Sequence, residues 1–155
     1  MPYEVEVKEL PPQQVAGVKR RTSMATIGST IQQGFVTLMS TMGKAGIAPA
    51  GPPFIVYLDV FDRESDGDIE ICIPVAGPFT GEGDVYGTVV GGGPVASTVH
   101  RGSYDQIGTA YQTLTAWIQE HGRQIVGPSR EVYLTDPQRT PDPADYVTEI
   151  VFPIR

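Results

Sequence analysis

Apolar and polar positions along the chain follow two alternating periods, and the sequence of periods occurs twice. Tyr3 to Lys8 alternates with a period of two, and both it and Gln14 to Arg20 are strand-like, separated by the breaker Pro11-Pro12. Ile27 to Lys44 switches to a helical period, with Ile27, Ile31, Phe35, Leu38, Met39 and Met42 along one stripe. Gly46 and the run Pro49 to Pro53 end that helix. Phe54 to Asp59 and Asp68 to Val75 again predict strands, joined by the polar turn from Asp62 to Asp68. The second half repeats the order. Asp84 to Val90 and Ala96 to His100 flank the breaker Gly91-Gly-Gly-Pro94. Ser103-Tyr-Asp-Gln106 has the form of a capping box. A helix to about His121 follows, with Ile107, Ala110, Tyr111, Leu114 and Ile118 on one face and Gly122 as its stop. Arg130 to Thr135 and Tyr146 to Pro153 complete the set, on either side of the Pro-rich loop from Asp136 to Asp145.

The repetition extends to residue identities. Val5/Val85, Arg21/Arg101, Ser23/Ser103 and Gly28/Gly108 match at an offset of 80. After the helices the offset is 76, with Gly46/Gly122, Gly51/Gly127, Pro52/Pro128 and Tyr57/Tyr133. Glu70/Glu149, Ile71/Ile150 and Pro74/Pro153 match at 79. The loss of four residues across the helix is about one turn, which keeps its buried face in register. One structural unit used twice is expected, as a single domain over residues 1–155 with repeats at 3–75 and 83–154. A seam between such halves is where a small-molecule site is expected to form.

Bulk properties narrow the function. The 155 residues suit one domain with a full core. A net charge of −7 argues against a nucleic-acid surface, which is normally basic. The single cysteine, Cys72, leaves no internal disulfide and reads as a buried strand thiol in a reducing compartment. Met1-Pro-Tyr-Glu-Val-Glu has no signal-peptide character, and no apolar stretch reaches the length of a membrane span. A cytoplasmic protein without membrane contact is the expectation.

Several residues could carry chemistry. Glu149 lies within the apolar stretch Val147 to Ile154, and its repeat mate Glu70 lies between Ile69 and Ile71. Such a carboxylate is either exposed on a wet sheet face or partly desolvated and in need of a partner. Tyr57 and Tyr133 match across the repeat and could line one site, or pack as ordinary strand residues. Trp117 aligns with Thr41, so the halves differ there, and it is a candidate wall or a core rim residue. Tyr104 and Tyr111 lie near and on the second helix. Other motifs fall away. His100 and His121 have no cysteine or helical partner for zinc. Asp62, Glu64 and Asp66 begin like a calcium loop, but Ile73 stands where the bidentate glutamate belongs. Gly91-Gly-Gly93 lacks the Lys-Ser/Thr pair of a phosphate loop, and no serine sits in a nucleophile elbow. No metal or cofactor is expected.

The stretches Val95 to Tyr111, Gly127-Pro-Ser-Arg-Glu-Val-Tyr-Leu-Thr-Asp136 and Thr148-Glu-Ile-Val-Phe-Pro-Ile154 together resemble the GyrI-like small-molecule-binding domain. This is the effector-binding domain of some AraC- and MerR-type regulators, also found free-standing. The resemblance implies an α+β fold. Duplicated strand-helix-strand-strand units would form a curved antiparallel sheet, with two main helices beside a central groove. It implies a hydrophobic, often cationic ligand over a buried glutamate, with Glu149 at the matching position. Ligand-contacting residues would be Glu149, Tyr133, Trp117, Tyr111, Tyr57, Phe35 and Tyr104. Because the repeat begins at residue 3, the chain is not expected to be itself a DNA-binding regulator. Some free-standing members resemble hydrolases of strained, cyclopropane-bearing electrophiles; Glu149 and Tyr133 would then be catalytic. Others inhibit DNA gyrase by protein contact. Binding and hydrolysis would use the same residues, so the sequence leaves both open.

Overall fold

The computed structural model describes residues 3–58, 66–136 and 139–155. Its strands are β1 (Glu6–Leu10), β2 (Gln13–Thr22), β3 (Phe54–Tyr57), β4 (Gly67–Pro74), β5 (Tyr86–Val90), β6 (Gly93–Arg101), β7 (Arg130–Tyr133) and β8 (Val147–Pro153). Its helices are α1 (Ile27–Lys44) and α2 (Gly108–Glu120). Each half therefore runs strand, strand, helix, strand, strand, as the periodicity predicts, and the fold is α+β. The strand predicted from Tyr3 begins at Glu6 and continues to Leu10. The expected turn from Asp62 to Asp68, with the first calcium-loop positions, lies largely outside the described residues.

The compact units are not the sequence repeats. One comprises Pro12–Gly91, the other Met1–Pro11 with Gly92–Arg155. In the first, the antiparallel strand order is β5-β2-β4-β3. In the second it is β1-β6-β8-β7. Each unit thus takes its edge strand from the other repeat: β1 pairs with β6, and β5 with β2. The breaker at Gly91-Gly-Gly-Pro94 is shorter than its composition suggests, since Gly93 and Pro94 already face Leu10 and Glu9.

The helices pack equivalently. On α1 the buried positions are Gly34, Leu38 and Met42; on α2 they are Ala110, Leu114 and Ile118, related by the same offset of 76. Gly34 is required by close approach, because a Cβ there would lie 2.1 Å from Ile71 Cδ1 on β4. Met39, placed on the apolar stripe by periodicity, is 47% exposed instead, and Gly34 takes the helix to the sheet. Both helices end on a left-handed glycine, Gly46 (φ 71°) and Gly122 (φ 69°). The amides beyond them, Ile47 and Arg123, bond back to Met42 O and Ile118 O, a Schellman closure that satisfies otherwise orphaned carbonyls. The capping box does not form. Ser103 makes no side-chain cap bond; its carbonyl accepts from the Gln106 amide at 3.2 Å. That bond closes a 3₁₀ turn, Tyr104–Gln106, ahead of α2.

Candidate ligand site

The candidate site is built in the unit that contains α2, and strand register determines which side chains share its face. In β8 Ile150 is fully buried and packs with Ala110, Leu114 and Ile118 of α2. Register partners share a face of a sheet, and successive residues alternate between faces. Glu131 pairs with Ile150, and Tyr133 with Thr148, so both belong to the α2 side. Glu149 pairs with Val132 and Val99, which places it on the opposite face.

Glu131 is the buried carboxylate of this unit, with 9% of its surface exposed. Tyr111 of α2 donates to its Oε2 at 2.5 Å, and Tyr133 donates to its Oε1 at 3.2 Å. Two phenol donors offset part of the desolvation cost of holding a charge there. Further rings surround the pair. Tyr104 meets Tyr133 edge-on at 5.7 Å and stacks on Tyr146 at 5.0 Å, while Tyr111 meets Phe152 edge-on at 6.0 Å. Burial, reinforced by the neighbouring Tyr146, Glu131 and Asp136, pushes the Tyr104 phenol up to about 12. It stays a neutral donor at any physiological pH. Negative ring faces around a carboxylate form an environment suited to an apolar cation.

Other sequence candidates are placed differently. Glu149 is ion-paired to Lys8 Nζ at 2.6 Å, with their side chains 16% and 31% exposed. Its repeat mate Glu70, in the other unit, accepts from the Tyr86 hydroxyl. Burial and that carboxylate raise the Tyr86 phenol well above its usual range. Gly17 makes room for the contact, since a Cβ there would come within 3.1 Å of the Tyr86 ring. Trp117 packs on the α2 core and stacks on His121 at 3.9 Å, nearly two helical turns beyond Tyr111. Tyr57 and Phe35, both half-buried, belong to the unit formed by Pro12–Gly91. The structure therefore brings together Tyr104, Tyr111 and Tyr133 around Glu131, a residue the sequence reading does not single out. A signal for Glu131 was present. At the offset of 76 its repeat mate is Ile55, a fully buried core residue. An acid at the position of a core isoleucine marks where the halves diverge chemically. His100, also buried, has its Nε2–H directed at Ser103 O (2.9 Å) and accepts from Tyr3 at Nδ1 (2.8 Å). It thereby ties β6 to the turn that carries Tyr104.

Residues 3–155 match the GyrI-like small molecule binding domain. The chain belongs to this family. Among solved structures, the GyrI-like chain is similar to the C-terminal domain of EcmrR, at 25% identity with a TM-score of 0.88, covering 100% of this chain and 99% of that one. It also matches EcmrR in its DNA complex at 25% identity with a TM-score of 0.86, spanning 99% of this chain but 57% of that chain. An uncharacterized conserved protein from Listeria innocua shares the fold at 16% identity, with a TM-score of 0.77 and coverage of 99% and 93%. So does SAV2435 bound to tetraphenylphosphonium, at 11% identity, with a TM-score of 0.68 and coverage of 98% and 94%. No curated protein matches the chain. Among the described residues, no helix of this GyrI-like domain is long and apolar enough to cross a membrane.

Proposed function

We propose that the domain binds hydrophobic organic cations, for sensing or sequestration, with Glu131 as counter-charge and Tyr104, Tyr111, Tyr133 and Tyr146 as ring walls. The observation that carries this reading is a buried carboxylate held by two tyrosine hydroxyls among further aromatic rings. A cation beside it gains a strong partner, because buried surroundings solvate charge poorly. Tetraphenylphosphonium, the ligand named with SAV2435, has that chemistry. Titration calorimetry with tetraphenylphosphonium and with neutral triphenylphosphine oxide tests the proposal. The wild type should bind the cation, and Glu131→Gln should weaken it tenfold or more, about 1.5–3 kcal/mol for a charged contact. The neutral analogue should change little. Equal losses for cation and neutral analogue would remove Glu131 from the site. Glu149→Gln, on the other face of the sheet, is the control and should alter cation affinity less than about twofold.

The Tyr133–Glu131 contact also suits a second reading, in which Glu131 orients water and Tyr133 donates a proton during opening of a strained electrophile. Release of a ring-opened product from a cyclopropane-bearing substrate, abolished by Glu131→Gln, separates turnover from binding.

A further inference from the structure

Thr148 is fully buried, and its Oγ1 has no hydrogen-bond partner; among the described residues it is the buried side-chain oxygen or nitrogen left in that state. Other buried polar side chains are satisfied. Thr22 bonds to Thr26 and Thr30, Thr98 donates to the Glu4 carbonyl, and His100 is engaged at both ring nitrogens. An unpaired buried hydroxyl destabilises a fold, and valine would fill the same volume without that cost. Thr148 lies in one register row with His100 on β6 and Tyr133 on β7, on the α2 side and one row from Glu131.

We propose that the Thr148 hydroxyl is the specificity-determining hydrogen-bonding group of the ligand site, selecting cations that carry an N–H or O–H group over cations that carry none. The inference rests on the cation-binding reading above. Glu131 supplies the charge for any apolar cation; Thr148 adds a directional bond to one polar arm of the ligand. Because Thr148 has no exposed surface, that arm reaches it when an aromatic neighbour swings aside. Tyr104 is suited to this movement: it is 37% exposed, sits in a three-residue 3₁₀ turn, and holds its place by ring contacts to Tyr133 and Tyr146. The ligand bond compensates the hydroxyl that the ligand-free fold leaves unpaired.

The test compares proflavine, whose nitrogens carry N–H groups, with the N10-methyl form of acridine orange, in which the exocyclic and ring nitrogens are all methylated and no N–H remains. Both are acridinium cations of similar ring shape. Thr148→Val should weaken proflavine about fivefold to tenfold, the loss of one hydrogen bond, and change the methylated dye less than twofold. Thr148→Ser keeps the hydroxyl and should retain most proflavine affinity. Without ligand, Thr148→Val should raise the melting temperature by about 2–4 °C. Equal effects on both dyes, or none on either, overturn the proposal. A lowered melting temperature also overturns it, by showing that the hydroxyl already has a partner. A Glu131→Gln arm keeps the two readings apart. If that variant binds both dyes as the wild type does, the cation-binding reading fails whatever Thr148 shows.

Discussion

Tyr104 shows how one residue joins the proposed site to the stability of the fold. Its phenol is raised from 10.0 to about 12, first by burial and then by negative neighbours. The folded state therefore holds this proton more tightly than the unfolded chain does. The resulting stabilisation is fully present below pH 10, the unfolded value, and is lost as pH rises through about 12. Denaturant unfolding of the wild type should lose stability across that interval, and Tyr104→Phe should remove part of the loss. Spectrophotometric titration of the phenols should show one fewer late-ionising group in the variant. A Tyr104→Phe profile superimposable on the wild type would show that Tyr104 ionises as it does in solvent. Glu131 and Glu149 make the complementary point. They are two acids in neighbouring strands of one sheet, one held by tyrosines on the helix side and the other by Lys8 on the far side. Their different partners follow from face, not from residue type.

Among the elements, α1 turns on its glycines. In a helix interior Gly→Ala normally gains about 0.5–1 kcal/mol. At Gly43 nothing lies within 4 Å of an added Cβ, and Gly43→Ala should stabilise by about 0.5 kcal/mol. At Gly34 the added Cβ meets Ile71 Cδ1 at 2.1 Å inside a packed core. Overpacking costs about 1–3 kcal/mol, so Gly34→Ala should be destabilising by about 1 kcal/mol after the helical gain. Ile71→Val removes the colliding methyl and should rescue Gly34→Ala in a double-mutant cycle. Chemical denaturation of the four proteins checks the sign. Stabilisation by Gly34→Ala alone would mean that α1 does not approach β4 so closely.

At the scale of the whole molecule, the exchange of edge strands decides which fragments can fold. The segment 12–91 holds β2, α1, β3, β4 and β5, every element of its compact unit. The sequence repeat 1–80 lacks β5 and retains β1 without its partner β6. Fragment 12–91 should accordingly show a cooperative thermal transition by circular dichroism, and fragment 1–80 a weaker and broader one. Equal transitions in the two fragments would show that the β2–β5 pairing contributes little to the unit. We also propose that the full chain behaves as one domain over residues 1–155, which a single transition for the intact protein would support.

Element order, both helix positions and their glycine stops were legible in the sequence, because each depends on local periodicity and on backbone freedom at Gly46 and Gly122. The duplication was legible for the same reason: equal local patterns fold into equal elements. Tertiary structure alone decided the rest. Periodicity says that Glu131 and Tyr133 share a face and that Glu149 and Val151 share another, but not which face a helix covers. That depends on where α2 packs, and the covered face is that of Glu131, Tyr133, Thr148 and Ile150. Nor could the repeat reveal that β1 leaves its own half for β6, since an edge strand's backbone hydrogen bonds are the same whichever partner accepts them.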